Sequence, residues 1–255
     1  MKRFLIIIIL LTTTSILSCS YQTTFSSDNI NYDVTITEKR NSIIIEPSSG
    51  ETSTTGLLFY PGGLVDNHAY NDLLAQFSEE AGIKCVVVKM PANLAVFAIN
   101  SGIKRCEEHP DIEKWIIAGH SLGGAMAAST VNKYSDFYSG IIFMDSYPAD
   151  SVSLKNWEGC VLSLFSSIEK ISDEERMNKT LSLIPPATWL TEDERSYPEE
   201  SSNYSVIHCI NGGSHSYFGS YGPQDGDFTP TITREEFHDE VVDYMTEFFS
   251  ENGWE

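Results

Sequence analysis

Short apolar runs alternate with amphipathic or small-residue segments along most of the chain. Strands that are apolar throughout and separated by helices are typical of a parallel sheet covered on both faces. The pattern predicts strands at 34–37, 42–46, 56–60, 85–89, 115–118, 140–144, 160–165 and 204–210, and helices at 70–81, 94–107, 122–134 and 234–250. We therefore expect an α/β fold in one domain, residues 31–255. Its mostly parallel central sheet should have about seven to eight strands with helices on both faces, the first two strands forming an antiparallel pair. The charged, proline-bearing region 172–202 stays open between a helix with a loop and a partial cap.

Residues 1–18 have the pattern of a signal peptide. Lys2 and Arg3 precede a continuous apolar run, and small polar residues follow it. The Ile-Leu-Ser-Cys ending at 16–19 resembles a bacterial lipobox, in which the cysteine is lipidated and begins the mature chain. We expect a bacterial cell-envelope lipoprotein held to the membrane through Cys19, with plain secretion or a retained membrane anchor as alternatives. Residues 19–30, rich in Ser and Thr, are expected to form a tether.

The charge balance limits the classes of partner. The chain has 36 acidic and 16 basic residues and a formal net charge of -20. Such a chain is repelled by nucleic acids and by anionic lipid surfaces, so we expect no nucleic-acid partner. The oligomeric state is left open.

Four cysteines follow Cys19, at positions 85, 106, 160 and 209. An exported chain can pair them as disulfides, and buried free thiols are the common alternative. Their spacing is not that of metal ligands, so no metal site is expected.

A Gly-His-Ser-Leu-Gly motif at 119–123 carries the strongest functional signal. It follows a predicted strand and opens a predicted helix. In a Gly-x-Ser-x-Gly elbow, the serine takes a strained conformation that exposes its hydroxyl, and the glycines let strand and helix approach closely. Ser121 is therefore the candidate nucleophile.

A serine nucleophile needs a histidine base and a carboxylate that orients it. Of the six histidines, His215 alone follows the last predicted strand in a glycine-containing loop, and it is the candidate base. The acid is expected between serine and histidine in the chain. Glu169, the first carboxylate after the strand 160–165, is preferred, and Asp145 and Asp173 remain competitors.

An oxyanion hole requires two backbone N–H groups aimed at the developing negative charge. One is expected from Leu122, at the start of the helix. The second is expected from Gly63 or Leu64, in the Pro-Gly-Gly-Leu segment after the strand 56–60.

With these motifs, the chain resembles the α/β-hydrolase superfamily, in particular its dienelactone-hydrolase-like group (α/β-hydrolase family 5). The resemblance covers about residues 52–249. It is carried by Tyr-Pro-Gly-Gly at 60–63, Val-Lys-Met-Pro-Ala-Asn-Leu-Ala at 88–95, the elbow at 119–127, Ser-Tyr-Pro-Ala at 146–149 and the segment 215–224. The chain departs from the family pattern where Gly-Ser-x-Asp usually carries the acid, because here the residues are Ser-Ser-Ile-Glu at 166–169.

These features predict a serine hydrolase that cleaves an ester, thioester or lactone through an acyl-enzyme, without metal or organic cofactor. The substrate is expected to be a small acyl compound, and Tyr217, Tyr221 and Met90 are candidate pocket walls. An acyltransferase would use the same residues. A surface binding protein that kept the fold but lost catalysis is the alternative outside enzymes.

Overall fold

The computed structural model describes residues 20–24, 31–50, 53–97, 99–167, 174–189 and 203–254. The expected signal peptide and Cys19 lie outside these residues. No helix among the described residues is both long enough and apolar enough to cross a membrane.

The centre of the fold is a sheet that contains nine strands within the described residues, in the order β1-β2-β4-β3-β5-β6-β7-β9-β8. Only β2 runs antiparallel to its neighbours, and every other pairing is parallel. The predicted α/β architecture is confirmed, and the sheet has one strand more than the seven to eight predicted. The strands are β1 Val34–Glu38, β2 Ser42–Pro47, β3 Thr55–Tyr60, β4 Lys84–Val88, β5 Lys114–His120, β6 Tyr138–Met144, β7 Cys160–Phe165, β8 Ala187–Trp189 and β9 Ser205–Cys209.

Helices cover both faces of this sheet. Side chains from α1 and α5 join one buried cluster, while those from α3 and α4 join the cluster on the opposite face. Because β3 to β7 are buried along almost their whole length, their apolar runs are explained by packing on both sides. The helices are α1 Asn71–Ala81, α2 Ser101–Cys106, α3 Leu122–Lys133, α4 Glu174–Leu183 and α5 Arg234–Glu251.

The helix predicted over 94–107 is wrong in its first half. There the chain forms two short 3₁₀ turns, Pro91–Asn93 and Ala95–Phe97, and only α2 is α-helical. Just before the predicted helix, Ala92 and Asn93 both have φ of 53°, a left-handed conformation that does not lead into a helix. The Asn93 carbonyl oxygen accepts a hydrogen bond from the Leu64 N–H (2.7 Å), which joins this segment to the loop after β3.

The region left open by the sequence, 172–202, contributes α4 and the short edge strand β8. The remainder of that region, 172–173 and 190–202, lies outside the described residues.

The N-terminal segment differs from the predicted flexible tether in its first residues. Residues 20–24 lie against the domain and form isolated β-bridges, Tyr21 with Val65 and Thr23 with Tyr221. We call residues 20–24 the N-terminal strap. Residues 25–30 lie outside the described part of the chain.

The cysteines Cys85, Cys106 and Cys160 are buried free thiols, and Cys209 is partly exposed. Of the two expectations, buried thiols rather than disulfides describe the first three. Burial raises the pKa of the Cys85 and Cys106 thiols above its ordinary value, so both remain protonated and act as small apolar groups.

Candidate active site

Ser121 stands in the tight turn between β5 and α3, at the carboxyl end of the parallel strands. Its φ of 53° and ψ of -124° are rare for a residue with a side chain. The Ser121 N–H donates to the Met144 carbonyl oxygen (3.0 Å), and the Ser146 hydroxyl donates to the Ser121 carbonyl oxygen (2.6 Å). The surrounding hydrogen bonds thus hold the strained turn in place.

The glycines of the motif are required by close backbone contacts. A Cβ atom on Gly123 would lie 2.1 Å from the Tyr60 carbonyl oxygen, and one on Gly119 would lie 2.6 Å from the backbone of Gly123. Neither contact is tolerated without moving the backbone. The glycine spacing therefore brings β5, α3 and the end of β3 together, as the elbow motif predicts.

The structure pairs His215 with Asp145. His215 Nδ1 lies 3.0 Å from Asp145 Oδ2, and the two side chains are 17% and 0% exposed. Asp145 follows β6 directly, and its carboxylate also accepts hydrogen bonds from the Ser166 N–H (3.0 Å) and hydroxyl (2.5 Å). The imidazole lies beside the elbow, since the ring centroids of His120 and His215 are 4.4 Å apart.

Asp145 was a competitor to Glu169 in the sequence-based expectation. Glu169 and Asp173 lie outside the described residues. The structure shows a carboxylate that accepts three hydrogen bonds, one of them from the candidate base. Those bonds are typical of an ionised carboxylate.

Of the expected oxyanion donors, Gly63 and Leu122 lie together. A Cβ atom built on Gly63 would be 2.9 Å from the Leu122 side chain. Leu122 is the first residue of α3, where helix N–H groups have no partner in the preceding turn. Leu64 is excluded as a donor in this structure, because its N–H is bonded to the Asn93 carbonyl oxygen.

Tyr70 connects the elbow to the loop that carries Gly63, a link that the sequence analysis missed. Its hydroxyl oxygen accepts from the Gly62 N–H (2.8 Å) and lies 2.9 Å from His120 Nδ1. Burial raises the pKa of Tyr70 above its ordinary value, so the phenol keeps its proton. The loop that Tyr70 contacts, residues 61–66, is called the Gly-Gly loop below. No sequence signal identifies Tyr70, because it has the pattern of an ordinary core aromatic residue.

Side chains of α5 hold the histidine loop, residues 211–221, through hydrogen bonds and a cation–π contact. Buried His238 donates from Nε2 to the Tyr217 carbonyl oxygen (2.8 Å), and Arg234 donates to the Tyr221 carbonyl oxygen (2.7 Å). The Arg234 guanidinium also lies over the Tyr217 ring, 4.8 Å from its centroid. These contacts fix the backbone immediately after His215.

His238 should make stability depend on pH. Burial lowers its pKa from 6.5 to about 4; Asp72 and Asp239 favour the protonated form, while Arg234 opposes it. Because the folded pKa lies below the unfolded one, the stabilisation is complete above about pH 6.5. It is lost progressively as the pH falls towards 4, by about 3 kcal/mol in total. Denaturant unfolding between pH 7.5 and 4 measures this loss.

The matched control for this pH dependence is His238→Gln, which keeps an N–H donor for Tyr217 but does not titrate. The carboxylates titrate in both proteins, so the difference between the two profiles isolates the contribution of His238. Parallel profiles for wild type and variant would contradict the prediction.

Two of the three candidate pocket walls are buried. Tyr221 and Met90 are 0% and 4% exposed, respectively. Tyr217 is only partly exposed and packs against Arg234 and, edge to face, Phe237. These side chains contribute to packing in this structure, and their role as pocket walls stays a prediction.

Within the described ranges, no group of three or more His, Cys, Asp or Glu side chains has an arrangement that would hold a metal ion.

The sequence profile of the Alpha/beta hydrolase family matches residues 56–239. The chain therefore belongs to that family, as its motifs predicted, and the protein is an enzyme of the hydrolase class.

Solved structures with the same fold include a dienelactone hydrolase from Anabaena variabilis ATCC 29413, with 13% identity and a TM-score of 0.55 over 86% of this chain and 99% of that one. A CIB-like hydrolase from Thermoplasma acidophilum has 14% identity and a TM-score of 0.53, covering 84% and 99% of the two chains. Est1E from Butyrivibrio proteoclasticus has 11% identity and a TM-score of 0.53, covering 86% and 99%. At these identities the likeness shows the fold. No curated protein sequence matches the chain significantly.

Proposed function

We propose that the protein is a serine hydrolase that cleaves a carboxylic ester, thioester or lactone through an acyl-enzyme. Ser121 is the nucleophile, His215 the general base and Asp145 the acid that orients the base. The observation that carries this proposal is the His215–Asp145 hydrogen bond beside the strained Ser121 turn. Family membership supports the hydrolytic class of reaction.

In the proposed first step, Ser121 Oγ attacks the substrate carbonyl carbon while His215 Nε2 takes the hydroxyl proton. Asp145 accepts a hydrogen bond from Nδ1, which selects the tautomer with a basic Nε2. The negative charge of the buried carboxylate then stabilises the imidazolium that forms.

The tetrahedral intermediate places negative charge on the former carbonyl oxygen. The Leu122 and Gly63 N–H groups are the proposed donors to it, with the start of α3 adding a favourable dipole. Collapse expels the alcohol, thiol or lactone oxygen, which takes the proton from His215. Water then attacks the acyl-enzyme by the same steps in reverse, releasing the acid and Ser121.

The test combines a fluorophosphonate probe with p-nitrophenyl esters of increasing acyl length. We expect the probe to label Ser121 and to block release of p-nitrophenol in proportion. Methyl ester formed in large excess over free acid at a low methanol concentration would assign the reaction to acyl transfer. An unlabelled Ser121 together with no hydrolysis of any ester would refute the proposal and favour a binding role.

We further propose export with lipidation at Cys19, on the basis of the N-terminal sequence pattern. A palmitate analogue fed to expressing bacteria should label the wild type, and Cys19→Ser should remove the label and shift the protein to the soluble fraction. An unlabelled wild-type protein cleaved near residue 20 would indicate plain secretion instead.

A further inference from the structure

The N-terminal strap joins two loops that frame the candidate active site. The Tyr21 N–H donates to the Leu64 carbonyl oxygen (2.8 Å), and the Asp66 N–H donates to the Tyr21 carbonyl oxygen (2.9 Å). Three residues further, the Thr24 N–H donates to the Ser220 carbonyl oxygen (2.7 Å). The strap thus binds the Gly-Gly loop at one end and the histidine loop at the other.

Packing adds to these main-chain bonds. The Tyr21 ring lies 5.8 Å from that of the buried Tyr221 and contacts the core cluster on this face of the sheet. The Thr23 hydroxyl donates to the Ser220 carbonyl oxygen (3.2 Å). Main-chain pairing at both ends and an aromatic contact between them hold the strap in one place.

The position of the strap determines where Cys19 is attached to the domain. Consecutive Cα atoms are about 3.8 Å apart, so Cys19 lies within roughly 8 Å of Tyr21. A lipid on Cys19 would therefore be attached beside the Gly-Gly loop. A flexible tether over residues 19–30, as the sequence predicts, would instead leave the domain free to present any face.

Exposed apolar side chains occur at the same end of the sheet. Val96 and Phe97 are 42% and 67% exposed and follow β4, in the segment whose Asn93 is bonded to Leu64. Loops that follow parallel strands share one edge, which here also carries Ser121, Asp145 and His215. Exposed Phe137 directly precedes β6 and so lies at the opposite edge.

We infer that the strap turns the active-site edge towards the lipid bilayer, with Val96 and Phe97 in its interface, and that the substrate is an acyl ester held in that bilayer. This inference rests on the lipidation and the hydrolase reaction proposed above. The acidic chain does not favour an anionic surface, so a zwitterionic bilayer is the expected support. Such a placement delivers an apolar acyl chain to Ser121 without its passage through water.

Tryptophan quenching tests the orientation without reference to activity. Phe97→Trp and Phe137→Trp proteins, acylated at Cys19, are reconstituted in phosphatidylcholine vesicles whose acyl chains carry bromine. After subtraction of the wild-type signal, we expect the added fluorescence to be quenched for Phe97→Trp and not for Phe137→Trp. Equal quenching at both positions, or none at position 97, would overturn the inference.

Linker insertion tests the substrate class. A Gly/Ser linker of about 20 residues, which spans roughly 25 Å, is inserted either directly after Cys19 or between Ser26 and Ser27. The first insertion separates the strap from the lipid, whereas the second leaves Cys19 next to the strap. We measure hydrolysis of p-nitrophenyl palmitate in the vesicles relative to soluble p-nitrophenyl acetate.

This ratio should fall at least about fivefold for the first insertion and stay at the wild-type value for the second, because only the first removes the enforced proximity. Equal ratios for the two insertions would overturn the inference. A wild type that hydrolyses neither ester would refute the proposed reaction instead, and the quenching result would still decide the orientation.

Discussion

Ser121→Ala is expected to lower kcat for ester hydrolysis by roughly 10⁴-fold or more, since the variant lacks the attacking oxygen. The fold should be retained. The Ser121 side chain makes no capping hydrogen bond to α3, and alanine at this φ and ψ carries the same backbone strain as serine. Initial rates of p-nitrophenyl ester hydrolysis measure the loss of kcat, and circular dichroism checks that the fold is retained.

Ser129→Ala is the matched control for this substitution. Ser129 lies on the same helix, and its hydroxyl donates to the Ala125 carbonyl oxygen within the helix (3.0 Å). Its loss should leave kcat close to the wild-type value. Near wild-type turnover in Ser121→Ala would remove Ser121 from the role of nucleophile.

The elbow turn and the candidate base could be located from the sequence because their signals are local. A glycine on each side of Ser121 is required by backbone contacts of under 3 Å, and such a requirement is visible in five residues of sequence. The strand before the elbow and the helix after it follow from apolar periodicity. His215 could be found because the loop after β9 lies at the same edge of the parallel sheet as the elbow after β5.

The carboxylate could not be predicted in the same way. Asp145 and Glu169 each follow a strand that ends at the same edge of the sheet, so chain order alone does not separate them. Asp145 reaches His215 from a left-handed conformation, φ 45°, beside the two Ser166 donors. That geometry is a tertiary property and leaves no pattern in the sequence.

The strap was misread for a related reason. Its residues are polar, and polar segments rich in Ser and Thr predict a tether. Residues 20–24 are held mainly by main-chain hydrogen bonds to Leu64, Asp66 and Ser220, which any side chains would permit. Tyr21 is the one apolar signal in the segment, and a single aromatic residue does not distinguish a docked segment from a tether.

Asp145→Asn is expected to lower kcat by about 10³- to 10⁴-fold, the second of the two large effects. Asparagine tolerates the left-handed φ of this position as well as aspartate does, so the backbone should not change. Its side chain has one acceptor oxygen in place of two and carries no charge. The carboxylate accepts from the His215 ring and the Ser166 hydroxyl at Oδ2 and from the Ser166 N–H at Oδ1, so an amide NH₂ at either position faces a donor. At the Oδ2 position it favours the tautomer with the wrong nitrogen protonated.

The same kinetic assay on Glu169→Gln and Asp173→Asn separates the three candidate acids. With Asp145 in the role, each of these variants should retain kcat within about threefold of wild type, because neither residue would then orient the base. Thermal unfolding of all three variants excludes loss of the fold as the cause. A loss at Glu169→Gln that exceeds the loss at Asp145→Asn would return the role to Glu169. The hydrogen bond between Asp145 and His215 would then serve only to hold the loop, because an orienting carboxylate acts on kcat through the charge that its amide isostere lacks.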